Sequence, residues 1–153
     1  MRRIVTVLLI ITALAGSQPS QELEGKRCIV CNMDVNMSPE LTSQVKMKDG
    51  TYKYAESPKH ILQYYFKNKE KIAELWVKDY KTGKWIDGTK AYYVVIEEGP
   101  MGKDLAPFKS RLKAKKFAKG KRVYKFSELS LEFIKHLDIK NHKHMEHGPK
   151  GHK

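Results

Sequence analysis

The 153-residue chain is poor in cysteine, with two, and poor in acid, with 17 Asp+Glu against 30 Lys+Arg. Two cysteines exclude a disulfide-rich scaffold. No apolar run approaches the ~20 residues that span a bilayer. No G-x-S-x-G, H-E-x-x-H or P-loop pattern occurs, and nothing in the sequence argues for catalysis. Charged residues make up 31% and hydrophobic ones 41%, a globular mix rather than a disordered one. The length suits one domain or two small ones.

What is present begins with a leader. Met1-Arg2-Arg3 is cationic, Ile4 to Leu14 is apolar apart from Thr6 and Thr12, and Ala13-Leu14-Ala15 gives an A-x-A site. This is a secretory signal-peptide pattern, so residues 1–15 are expected to be removed and the protein exported. Cleavage takes Arg2 and Arg3 and no acid, so the net charge of +13 falls by two. Leu14-Ala15-Gly16-Ser17 resembles a lipoprotein box with serine in place of cysteine. Serine cannot carry the thioether lipid, which leaves export without acylation or tethering by an uncleaved signal. Residues 16–26 are polar with Pro and Gly, as in a linker.

Residues 27–140 read as two halves, approximately 27–80 and 81–140. Thr42–Lys48 and Thr51–Ala55 alternate around Asp49-Gly50, predicting a hairpin with a type I′ turn. Ser57-Pro58 opens a helix running to about Asn68. Glu74–Tyr80 is a strand, and Trp85–Asp87 pairs back on it. Ala91–Glu97 is almost continuously apolar, which predicts a strand buried on both faces. Glu98–Phe108 reads as a Gly/Pro-rich loop, Lys109–Ala118 as a helix ended by Gly120, Arg122–Phe126 as a strand and Glu128–Ile139 as a helix. The order amounts to two ββαβ-like modules, an α+β fold with mainly antiparallel sheet and helices on one face. Residues 141–153 carry His142, His144, His147 and His152 without apolar periodicity, and read as a flexible His-rich tail. His/Met-rich tails gather copper or nickel, but this composition equally suits a solubilising tail. His60 and His136 fall in helical segments, where histidine is ordinarily a surface or satisfied core residue.

Lys109 to Lys125 holds nine Lys/Arg and no acid. It suits a solvated face, or steering toward an acidic partner or anionic membrane. Nucleic acid is not an expected partner, because export separates the protein from it and no binding motif with interleaved stacking aromatics is present.

The chemistry concentrates in Cys28-Ile29-Val30-Cys31-Asn32-Met33. Cysteines three apart bring two sulfurs to one side of a tight turn, and Met33 and Met37 add thioethers nearby. Soft donors of this kind select Cu(I). A zinc site would need four N/S ligands, and no second pair follows at zinc-finger spacing. A redox C-x-x-C would open a helix in a thioredoxin-like βαβ, and no such pattern follows. A disulfide also fits an exported protein. Met101, in Gly99-Pro100-Met101-Gly102, has no predicted helix or strand to pack into, and could close a trigonal Cu(I) site with the Cys28–Met33 sulfurs.

These motifs resemble, in order, the NosL family of copper-binding accessory proteins of nitrous oxide reductase. The resemblance runs from about Lys26 to about Leu129. It rests on Cys28-Ile-Val-Cys31-Asn-Met33, similar to C-x-x-C-G-M; on Asp49-Gly50-Thr51; on Leu75-Trp76-Val77-Lys78-Asp79-Tyr80 with Thr82-Gly83 and Trp85-Ile86-Asp87; on Ala91-Tyr92-Tyr93-Val94; and on Gly99-Pro100-Met101-Gly102 with Leu105 and Pro107-Phe108. It implies two ββαβ modules and a periplasmic, non-enzymatic Cu(I) metallochaperone of denitrification, free or held at the membrane. The expected partners are the copper ion and nitrous oxide reductase or its assembly machinery. Carried over by position, the metal residues are Cys31, Met33 and Met101, with Cys28 or a histidine as a further ligand. Asn32 replaces the usual Gly but tolerates φ > 0. Ser17 replaces the lipid-bearing cysteine. The alternative from another class is a thiol–disulfide oxidoreductase using Cys28 and Cys31, and a third reading is a disulfide-stapled binding module without metal.

Overall fold

The computed structural model describes residues 16–139. The expected signal peptide and His-rich tail lie outside the described residues.

Alternation in Ser43–Met47 (β1) and Tyr52–Ala55 (β2) produces the antiparallel hairpin, with Ser43 opposite Ala55 and Lys46 opposite Tyr52. The turn is not type I′. That type needs positive φ at both central residues, and of Asp49 and Gly50 only Gly50 takes one, at 87°. Asp49 instead accepts bonds from the Thr51 backbone and hydroxyl, which order a longer connection.

Ser57-Pro58 does open a helix, Pro58–Asn68 (α1). Its cap is not the Ser57 hydroxyl. The carboxylate of Asp104, 45 residues away, accepts from the Lys59 N–H at 2.9 Å instead. Burial pushes the Asp104 carboxyl up despite the amides that donate to it.

Ile72–Lys78 (β3) lies antiparallel to β1, and Trp85–Asp87 (β4) pairs back on β3, completing a sheet of order β2-β1-β3-β4. The second half repeats the pattern. Tyr92–Gly99 (β5) and Gly102–Phe108 (β6) form a hairpin, Arg111–Ala118 (α2) follows, and Val123–Lys125 (β7) returns antiparallel to β5 in the order β6-β5-β7. The expected loop at 98–108 is therefore mostly strand. Its glycines mark only the tight connection, and Pro107 is tolerated because β6 is an edge strand. Leu131–Ile139 (α3) closes the chain. The two ββαβ modules are thus present, with β4 and α3 added.

The continuous apolar character of β5 has its cause in two cores. Tyr93 and Leu105 join Val45, Leu75, Val77, Ile61, Leu62 and Ile134 in the larger one, which the first sheet, α1 and α3 enclose. Val94, Ala106 and Phe108 face the other way, onto Ala114 and Ala118 of α2.

Residues 16–26, read from composition as a linker, run along the first hairpin. Ser20 exchanges two bonds with the Gln44 amide, and the Tyr52 and Tyr54 hydroxyls reach Gln18 and Ser20.

Asp79 ties the halves together. Its carboxylate accepts from the backbone N–H groups of Lys81, Thr82 and, across the modules, Lys109. Burial works against the charge, but these three amides outweigh it and hold the carboxyl below its usual range. A depressed folded pKa contributes stability above the unfolded value of about 3.9, lost as pH falls through the folded value. Asp79→Asn is expected to cost about 1–2 kcal/mol at pH 7, because its amide nitrogen cannot accept from Lys109. The gap from wild type should narrow as pH falls through the folded value, which lies below the usual carboxylate range. Urea unfolding of both proteins across pH measures this.

Candidate metal centre

The C-x-x-C segment forms a tight turn beside the end of β2. Arg27 bridges to Asp34 and Cys28 to Tyr54, and the Ile29 N–H donates to the Tyr54 carbonyl at 2.8 Å. Inside the turn the Asn32 N–H reaches the Cys28 carbonyl, and the Cys28 N–H reaches the Met33 carbonyl. Asn32 takes φ of 60°, the left-handed conformation where glycine is usual and which asparagine tolerates.

Docking at Tyr54 brings the sulfurs to the start of α1, four residues further along. Glu56 and His60 converge there with Cys28 and Cys31, and one donor atom from each lies within 4.8 Å of all the others. The two thiols are free. Cys28 is 3% exposed, and Cys31 is half-buried. The Cys28 sulfur accepts from the Val30 N–H at 3.3 Å and the Cys31 N–H at 3.5 Å, and lies 3.7 Å from His60 Nδ1. His60 Nδ1 is also 2.6 Å from Glu56 Oε1. That contact is short, but its angles are not those of a hydrogen bond, and both buried Glu56 oxygens remain without a hydrogen-bond partner. The contact is therefore best read as an ion pair.

Charge organises the cluster. Burial alone would lower the His60 pKa, but the Cys28 sulfur and the Glu56 carboxylate reverse this and push it up to about 9. Burial likewise opposes the Glu56 charge, and His60 with Cys28 overcomes it and holds the carboxyl below its ordinary range. An imidazolium thus sits between a carboxylate and a sulfur. A metal cation bound by the sulfurs and the imidazole would supply the positive charge now carried by that proton. The donor set, two sulfurs and one imidazole nitrogen with only Cys31 partly exposed, fits a soft monovalent ion. Glu56, a hard donor, suits the partner that neutralises and orients the histidine.

Of the residues named from sequence, Cys28 and Cys31 stand together in this cluster. Met33 follows in the same turn and is half-buried. Met101 caps the β5–β6 connection and is 44% exposed. The carbonyl of Met101 is fixed from below: Lys59, next to His60 in α1, sends its Nζ to it at 2.8 Å and to Asp138 Oδ1 at 2.9 Å. Lys59 is 0% exposed. Met37 is exposed and His136 lies on the surface of α3.

Sequence reasoning did not single out Glu56. It placed His60 among ordinary helical histidines, naming only an unspecified histidine as a further ligand. The local signal was their i, i+4 spacing at a helix start. What gives that pair its meaning is the bridge between Cys28 and Tyr54, which no local pattern announces.

A model of the NosL family matches residues 19–134. Among solved structures, the chain is similar to the crystal structure of the copper chaperone NosL from Shewanella denitrificans. The match has 18% sequence identity and a TM-score of 0.67, and covers 76% of this chain and 99% of that one. No curated protein matches the chain.

Proposed function

The chain belongs to the NosL family, and we propose that it is a copper carrier rather than an enzyme, holding one Cu(I) on the Cys28–Cys31–His60 cluster. The observation that supports this most directly is the convergence of two free thiols and an imidazole within 4.8 Å, with a buried carboxylate behind the imidazole.

The donors form a gradient. Cys28 and His60 are buried, Cys31 and Met33 are half-buried, and Met101 is exposed. Thiolates hold the ion firmly at the base, and the thioethers of Met33 and Met101, weaker donors, stand nearer solvent. Release then proceeds by exchange. An incoming sulfur or imidazole of the acceptor binds the low-coordinate ion before a chaperone ligand leaves, so bare copper never enters water. The acceptor in this reading is nitrous oxide reductase or its assembly machinery, and the place is the periplasm, consistent with the leader pattern at residues 1–15. Ser17 excludes a lipid at that position, so membrane attachment would depend on retaining the leader.

The alternative, thiol–disulfide exchange, asks for a C-x-x-C at a helix N-terminus. Here the pair occupies a turn closed by two backbone bonds, and no helix begins at it. Anaerobic titration with Cu(I) against a chromophoric chelator should show one tightly held ion per chain. The same protein should not reduce insulin above the background set by free thiol. Insulin turnover without copper retention would establish the oxidoreductase instead.

A further inference from the structure

Copper carriage on the cysteine cluster leaves most of the histidines without a role. Four of the six in the chain fall in residues 141–153, at 142, 144, 147 and 152, with Met145 among them. The fold decides where this segment starts. α3 packs against α1 and β6, and its last turn meets the first turn of α1. One side chain makes that junction. The enclosed Lys59 Nζ donates to Asp138 Oδ1 at 2.9 Å and to the Met101 carbonyl at 2.8 Å. Asp138 is next to last in α3, and His60 of the cluster directly follows Lys59. The chain therefore leaves the fold at the end of the molecule that carries the metal centre, beside the turn that exposes Met101.

We propose that His142, His144 and His147 form a second, weaker Cu(I) site, which captures the ion and passes it by way of Met101 to the Cys28–Cys31–His60 cluster. This deepens the carrier reading and rests on it. Covalent length sets the reach: at most ~3.6 Å per residue keeps His142 within about 14 Å of Asp138 and His147 within about 32 Å. Over so short a tether the captured copper faces the cluster at an effective concentration in the millimolar range. Imidazoles are largely neutral at pH 7 and offer free nitrogens to the ion. Lys140, Lys143, Lys150 and Lys153 accompany them and repel a divalent ion more strongly than a monovalent one, which favours Cu(I). Imidazole holds Cu(I) less firmly than thiolate, so transfer runs downhill toward Cys28 and Cys31. The step is a ligand exchange. A Cu–S bond to Met101 forms as a Cu–N bond to the tail breaks, and copper stays monovalent throughout.

The test uses the full chain under anaerobic conditions, with Cu(I) supplied as its bicinchoninate complex. Wild type should take one tight ion and one weak one. His142→Ala with His144→Ala and His147→Ala should keep only the tight ion, with its affinity unchanged. Stopped-flow recording of the ultraviolet thiolate-to-copper absorption should show the tight site of this variant filling about tenfold more slowly. An insertion of about thirty Gly/Ser residues after Lys140 should keep both ions yet slow filling about tenfold, because effective concentration falls as roughly the −3/2 power of tether length. Cys28→Ser with Cys31→Ser should lose the tight ion and keep the weak one. A single tight ion in wild type overturns the proposal and leaves the carrier reading intact. So does an unchanged filling rate in the histidine variant or in the insertion, which would make the tail a separate sink. A wild type that takes the weak ion alone overturns the carrier reading, and the transfer with it.

Discussion

Cys28→Ser together with Cys31→Ser should lower Cu(I) affinity by at least about a thousandfold, roughly 4 kcal/mol. The size follows from the donor set. Removing both sulfurs leaves an imidazole, a carboxylate and two thioethers, and no thiolate to favour a soft cation. The single changes separate chelation from folding. Cys28 belongs to the larger core, so its replacement carries a stability cost of its own, whereas Cys31 is half-buried and Cys31→Ser should fold as wild type. His60→Ala should cost about 10- to 100-fold in affinity, and Glu56→Gln a smaller amount, because the carboxylate acts on the histidine rather than on the metal. Chelator competition reads all five. An unchanged affinity in the double variant would show that copper, if bound, is bound elsewhere.

Lys59→Met should cost about 3 kcal/mol of stability and, separately, weaken Cu(I) binding by about tenfold. The buried ammonium has no other residue to replace it between the Met101 carbonyl and Asp138. Methionine fills the stem's volume but donates nothing, so the turn that carries the Met101 thioether loses its anchor on α1. Gly99→Ala approaches the same turn from the other side. A Cβ there would lie 2.5 Å from the Asp104 Cβ and 2.8 Å from the Gly102 carbonyl oxygen, so the connection must shift. Met101→Ala removes the thioether without touching the anchor. If Met101 is a ligand, all three weaken copper binding, and Lys59→Met adds nothing to the affinity loss once Met101 is alanine. Denaturant melts and chelator competition on the single and double variants give both quantities.

Most of the architecture was legible because it is local. Alternation around Asp49-Gly50, the Ser-Pro helix start and the almost continuously apolar start of β5 each state a strand or helix in a few residues, and their order is already that of two ββαβ modules. The misreadings have physical causes. At Asp49-Gly50 the dipeptide suggested mirror-image geometry, but Asp49 used its carboxylate to bond Thr51 and the turn lengthened. At 98–108 glycine and proline masked a strand whose edge position makes a proline harmless. The candidate site was half legible. Cys28 and Cys31 announce themselves by spacing. Glu56 does not, because a glutamate before a helix is ordinarily solvent-exposed, and only the tertiary bridge at Tyr54 buries it against the sulfurs. Lys59 was invisible for the same reason: nothing in a Pro-Lys-His helix start indicates that the ammonium will be wholly enclosed by β6 and α3.

X-ray absorption at the copper edge of the anaerobically Cu(I)-loaded full chain tests the central claim most directly. The account predicts a monovalent ion in a low-coordinate shell dominated by sulfur, with one imidazole that disappears in His60→Ala. A shell of nitrogen and oxygen alone, unchanged by Cys31→Ser, would contradict it.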